Sequence, residues 1–129
     1  MPILDVTLVL RDGETLAPDL AQQLSDAAGR VFGAAAGTVW VAVRALPPER
    51  YAENAVARAD TPQPAFVRVI KAEDDPATVR AAEAAALSAA LAARLGRAAA
   101  LVHLIYEPAG AGRVAFGGRL VQAGAAPSS

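Results

Sequence analysis

The sequence contains no cysteine and one histidine, His103. Without cysteine there is no disulfide framework, no thiolate nucleophile and no Cys-based zinc site, and one histidine cannot build a multi-histidine metal centre. No metal is therefore expected. Charge of one sign is also missing: the formal net charge is −1, and the twelve Lys and Arg residues are scattered among thirteen Asp and Glu. That leaves no electrostatic footprint for a nucleic acid or an anionic membrane. Long hydrophobic runs are absent too, since none approaches the roughly 20 residues of a membrane span and the N-terminus lacks a basic region followed by an apolar one. The reading is a cytoplasmic protein with no nucleic-acid or membrane partner.

What is present is alanine, concentrated in "RAAEAAALSAALAARLGRAAA". Alanine is the best helix former, so this stretch reads as helix and not as low complexity. At 129 residues the chain suits one domain, residues 1–129, with a single core that buries about two thirds of the unfolded surface.

Residues 2–10 read as a buried strand ended by the turn signal "RDGE". Leu16, Leu20, Leu24, Ala27, Ala28, Val31 and Phe32 then recur at helical spacing. Thr15 is expected to cap this helix, with Pro18 in its first turn and Gly33 at its left-handed end. A second strand follows in "TVWVAV", residues 38–43. The same order returns: a strand at 65–72, an Asp and Pro helix start in "DDPATV", a stripe through Val79, Leu87, Leu91 and Leu95, then Gly96 and a strand at 100–106. Glu83 interrupts that second stripe.

The two halves align without a gap. Asp12 and Asp75, Thr15 and Thr78, Leu24 and Leu87, Gly33 and Gly96, and Trp40 and His103 each stand 63 residues apart. Punctuation and core residues share one register, the mark of an internal repeat. The expected fold is α+β in two layers: a tandem β-α-β repeat (about 2–46 and 65–109) with a C-terminal hairpin at 110–122. Parallel strands joined by right-handed crossovers put both helices on one face of a four-stranded mixed sheet. The segment 47–63 is a polar connector that buries little. The other sheet face reads as apolar and uncovered, which points to an oligomer.

A duplicated β-α-β chain beginning Met-Pro resembles the tautomerase superfamily, whose members include 4-oxalocrotonate tautomerase and macrophage migration inhibitory factor. Three stretches carry the resemblance, which runs from Pro2 to about Val121: "MPILDVTLV", "LAQQLSDAAGR" and "LVHLIYEPAGAGRVAFGGRL". It implies a homotrimer whose sheets form a central barrel, with an active site at each subunit boundary. It also implies a cofactor-independent isomerase, a keto-enol tautomerase acting on a small carboxylate such as a 2-hydroxydienoate or 2-oxo acid.

Loss of Met1 would leave Pro2 with a free secondary amine. Burial in an apolar pocket and nearby cations both disfavour its charged form, so it could serve as general base and then acid. Ile3, Leu4, Val6 and Phe116 are the expected apolar walls. For Pro2 the bland alternative is a proline at a strand's first position, where no N–H is needed.

The resemblance places catalytic roles at Arg11, one position before the family's substrate-binding arginine, at Arg30, where the inhibitory-factor branch has lysine, and at His103, reaching a neighbouring subunit's proline. Against these stand a turn cation for Arg11, a helix-end cation matching the macrodipole for Arg30, and a histidine accommodated by its strand. Arg44, Arg68 and Lys71 are further cations able to hold a carboxylate, with surface charge as the plainer reading. Tyr51 and Tyr106 could orient a substrate oxygen or simply pack, and Trp40 reads as core.

Val114 stands where 4-oxalocrotonate tautomerase has an aromatic wall residue and a dehalogenating branch has a water-activating glutamate. Valine keeps the wall apolar but cannot activate water, and the loop "GAAAGT" lacks the acidic residue of the malonate semialdehyde decarboxylase branch. Ile105 replaces the inhibitory-factor branch's pocket asparagine. These departures favour proton transfer, with a proline-dependent hydratase or dehalogenase, or a non-catalytic oligomer, as the alternatives.

Overall fold

The computed structural model describes residues 1–124. Strand β1 (Ile3–Val9) leads into helix α1 (Leu20–Phe32) and strand β2 (Trp40–Leu46). Strand β3 (Ala65–Ile70), helix α2 (Ala77–Leu95) and strand β4 (Val102–Tyr106) repeat the order, and two short strands, β5 (Ala115–Phe116) and β6 (Arg119–Leu120), close the chain as a hairpin. The sheet order is β2-β1-β3-β4. Strands β1 and β2 pair in parallel, as do β3 and β4, while β1 and β3 pair antiparallel at the centre.

Alternation along the strands sets the two faces. Leu4, Val6 and Leu8 of β1 and Ala65, Val67 and Val69 of β3 are buried in one cluster with Leu20 and Leu24 of α1 and Leu87, Leu91 and Leu95 of α2. Both helices thus lie on one face. Each contributes leucines one turn apart, and truncating one such leucine to alanine costs about 2–5 kcal/mol in a core of this kind.

Several boundaries differ from those the sequence predicts. Helix α1 starts at Leu20, five residues beyond Thr15, and Asp19 at its cap makes no side-chain capping bond. Pro18 explains this, because the residue before a proline is pushed out of helical geometry. Gln23 instead ties the first turn, its amide donating to the Asp19 carboxylate at 2.8 Å. Strand β2 begins at Trp40 and reaches Leu46, because each of its residues pairs with the whole length of β1 from Ile3 to Val9. Thr38 is spent in a turn, its hydroxyl donating to the Ala35 carbonyl. The strand expected from residue 100 starts at Val102 after a 3-10 turn at Ala99–Leu101.

The sheet face away from the helices is not uniformly apolar. It carries ion pairs between Arg44 and Asp5 and between Arg68 and Glu107 among its exposed side chains. Trp40 is no core residue either: it is 52% exposed on that face, with its indole N–H on the Gly37 carbonyl and its ring edge-on to Phe116 at 4.9 Å. The connector 47–63 is largely exposed, with two 3-10 turns at Pro48–Arg50 and Arg58–Asp60.

Candidate active site

Pro2 is buried on the helix side of the sheet, in phase with Leu4 and Val6. Its carbonyl accepts from the Trp40 amide at 3.1 Å, which fixes it as the first rung of the β1–β2 ladder. A cleft of about 290 Å³ opens beside it, lined by Met1, Pro2, Val31, Phe32, Gly33, Ala34, Lys71 and Glu83. The apolar walls therefore come from the end of α1. Ile3, an expected wall, alternates to the other face, and Leu4 and Val6 belong to the closed core. Phe116 stands on the hairpin against Trp40, and Val114 anchors that hairpin through backbone bonds to Gly110 and Val121.

Met1 caps this cleft. Its amine donates to the Thr38 carbonyl at 2.8 Å, and partial burial lowers that amine's pKa from its ordinary value of 8.0. Its side chain lies over Gly110, so closely that the Met1 methyl leaves no room for a Cβ there. Removing Met1 would free the proline nitrogen and clear the space above Gly110 together.

The charged wall of the cleft is a network. Lys71 follows β3 and donates to Asp75 and, at 2.7 Å, to Glu83, with its ammonium 5.6 Å from the centre of the Phe32 ring. Glu83 projects from α2 and accepts the Tyr106 hydroxyl on its other oxygen at 3.0 Å. Burial would lower the Lys71 pKa, but the hydrogen bonds to Asp75 and Glu83 outweigh it and raise the group above 10.5. Burial, then the bond to anionic Glu83, push the Tyr106 phenol well above its ordinary range.

Of the residues proposed from sequence, Pro2 and Lys71 meet in this cleft, and Tyr106 reaches it through Glu83. Arg30, in the last turn of α1, borders a neighbouring cleft that shares Gly33 and Ala34 with the first. The remaining residues lie elsewhere in the protomer. Arg11 follows the far end of β1, about 23 Å of strand from Pro2, where it pairs with Glu14 and donates to the Gly96 carbonyl at 2.9 Å. His103 is exposed on the helix-free face, its ring 5.5 Å from that of Phe66. The Tyr51 ring lies tilted against Phe66 at 5.8 Å and its hydroxyl donates to Glu53, and burial followed by that carboxylate pushes its pKa up to about 12. Arg44 and Arg68 are held in the ion pairs of that same face.

Glu83 is the site residue that sequence reasoning passed over, although a carboxylate interrupting an apolar stripe was its visible signal. Among the described residues no cluster of three His, Asp or Glu side chains could hold a metal ion. No described helix is long and apolar enough to cross a membrane.

No family model and no curated protein matches the sequence. Solved structures do match its shape. A wild-type fused 4-OT, solved as a symmetric trimer, is 23% identical with a TM-score of 0.71, the match covering 92% of this chain and 94% of that one. Pt0534 inactivated by 2-oxo-3-pentynoate is 20% identical with a TM-score of 0.69, covering 92% and 94%. The macrophage migration inhibitory factor of Toxoplasma gondii is 18% identical with a TM-score of 0.66, covering 92% and 98%. Two β-α-β units on one four-stranded sheet, with the buried Pro2 just ahead of its inner strand β1, thus give this chain the tautomerase fold.

Proposed function

We propose that the protein is a cofactor-independent tautomerase in which Pro2, freed of Met1, moves a proton within a small enolisable acid. The observation that carries this is the position of Pro2: buried immediately ahead of β1, in the wall of a cleft with both apolar and ionic sides. A neutral proline nitrogen would take the proton from the enol hydroxyl, and the resulting ammonium would return it to a carbon of the conjugated system, leaving the ketone. Burial favours the neutral amine at the start of that cycle. Inactivation of Pt0534 by an acetylenic 2-oxo acid supports an electrophilic, 2-oxo-acid-like ligand for this cleft as well.

A homotrimer belongs to the same proposal. Trp40 and Ile105 are exposed large side chains on the helix-free face, which a barrel of three sheets would cover, and the fused 4-OT is a trimer. In that assembly Arg11 and His103 could serve only a neighbouring protomer's Pro2, while Arg30 and Lys71 would act within their own. Within the wider enzyme class, Glu83 and Asp75 favour a second reading. Carboxylates beside the cleft stabilise a proline ammonium, which would polarise or hydrate an unsaturated acid.

Intact mass establishes whether Met1 is absent. Ketonisation of a monocarboxylic 2-hydroxydienoate, 2-hydroxypenta-2,4-dienoate, and of an arylpyruvate enol is then followed in wild type and Pro2→Ala. The expected loss is about 100-fold or more, the usual contribution of a positioned general base. Equal rates overturn the proline mechanism. Hydration of an unsaturated acid that depends on Pro2, without ketonisation, would instead establish the second reading. A one-chain sedimentation mass would remove the intersubunit roles.

A further inference from the structure

The ionic wall of the Pro2 cleft has little donor capacity left. The Lys71 ammonium has three N–H donors, and Asp75 and Glu83 accept from two directions. Tyr106 spends its hydroxyl hydrogen on Glu83. Arg80 lies with its guanidinium 5.4 Å from the centre of the Tyr106 ring and donates to Asp74. At the cleft itself one cation, Lys71, is held between two carboxylates, Asp75 and Glu83. The wall is net negative, and it can offer one unspent Lys71 donor to one carboxylate oxygen.

The rest of the cleft is Val31, Phe32, Gly33 and Ala34. These groups suit a neutral, apolar tail and give nothing to a second carboxylate. Arg30 could do so only for a ligand that leaves this cleft past Gly33 and Ala34 into the next, where Asp26 also lines the wall.

We infer that Glu83 is a specificity-determining residue that restricts the Pro2 cleft to monocarboxylic acids with an uncharged tail, holding Lys71 toward one carboxylate while repelling a second. For the reaction this rests on the proposed tautomerase activity, but the binding preference does not. Rejection by a fixed like charge is an established route to selectivity. Glu83 acts here without touching the proton that moves.

The test is calorimetric binding of hexanoate and adipate, equal in length and inert to proton transfer, to the chain lacking Met1. Wild type should favour hexanoate by about tenfold, the size of a partly screened like-charge contact. Glu83→Gln, which keeps the size and one acceptor oxygen for Lys71 while its NH2 can donate to the Tyr106 hydroxyl oxygen, should narrow the ratio to about twofold, mainly through tighter adipate binding. Glu83→Asp retains the charge and should retain the preference. Equal binding of both acids by wild type, an unmoved ratio in Glu83→Gln, or no hexanoate binding in the millimolar range would each overturn the inference. Unchanged ketonisation in Pro2→Ala alongside an intact hexanoate preference would instead sink the proline mechanism and leave this inference standing.

Discussion

At the start of β1 the first repeat sets Ala34 beside Pro2, whereas at the start of β3 the second repeat sets Arg97, the residue 63 positions later, beside Ala65. The surrounding backbone is the same at both ends. Ala34 donates its amide to Gly29 and Arg97 donates its amide to Ala92, closing the two helices in the same way. The side chains then diverge. The Arg97 side chain is 0% exposed, donating to the carbonyls of Val9 at 2.9 Å and Gln63 at 2.8 Å and pairing with Glu14 at 2.6 Å. The positions matching Lys71 and Glu83 are Leu8 and Leu20, both in the core. One end is filled by a guanidinium and leucines, and the other keeps an alanine, two ionised side chains and a cleft. The repeat supplies two pockets, and a few substitutions decide which remains open.

The largest effect that would break this contrast comes from unsealing the closed end. Arg97→Met should destabilise the fold by about 3–5 kcal/mol, the cost of removing one member of a buried pair, because Glu14 and the carbonyls of Val9 and Gln63 lose their donor. Urea unfolding at neutral pH measures it. A loss under 1 kcal/mol would mean that water replaces the guanidinium and that this end is not sealed.

Glu14→Gln tests the same seal from its acidic side, with about 2 kcal/mol at stake as a hydrogen bond to a charged group. The Arg97 hydrogen bond, reinforced by the Arg11 amide and both guanidinium charges, holds the Glu14 carboxyl below its ordinary 4.5 despite the opposing effect of burial. The folded state thus binds the Glu14 proton less readily than the unfolded chain does. Its stabilisation is complete above 4.5 and fades as the pH falls through the lower, folded value. Stability of wild type should therefore fall more steeply than that of Glu14→Gln in acid. Parallel curves would show that the pair contributes no linkage.

Much of this architecture is legible in the residues. Gly33 and Gly96 mark both helix ends and the Gly117-Gly118 pair marks the hairpin turn, whereas β1 reads as buried throughout and only the folded sheet separates Leu4, Val6 and Leu8 from Ile3, Asp5 and Thr7 on the other face. Thr15 offers a local capping signal for the helix start, whereas Pro18 acts on its neighbour's backbone and shifts the start to Leu20. Site chemistry was less visible for a different reason. Glu83 looks like an ordinary helix charge and Arg97 like an ordinary cation just past a helix end, and only tertiary placement reveals that Arg97 fills a pocket while Glu83 lines one. For Arg11, His103 and Arg68 the sequence supplies a residue type, but their strand ends and faces put them out of reach of the same protomer's Pro2.

The smallest expected effect sharpens the comparison by testing whether its backbone half holds. Gly33 and Gly96 sit at φ 60° and 65°, and a Cβ at either would meet nothing within 4 Å. The penalty for alanine is then the left-handed backbone alone, about 1 kcal/mol at each site. Gly33→Ala and Gly96→Ala should lower the unfolding free energy equally, within a few tenths of a kcal/mol. If Gly96→Ala costs much more, the carbonyl that accepts Arg11 and neighbours Arg97 has shifted, and the seal depends on the helix end itself. Equal losses confine the difference between the two ends to side chains, so that the open cleft beside Pro2 follows from Ala34, Lys71 and Glu83 and not from a distorted second copy of the repeat.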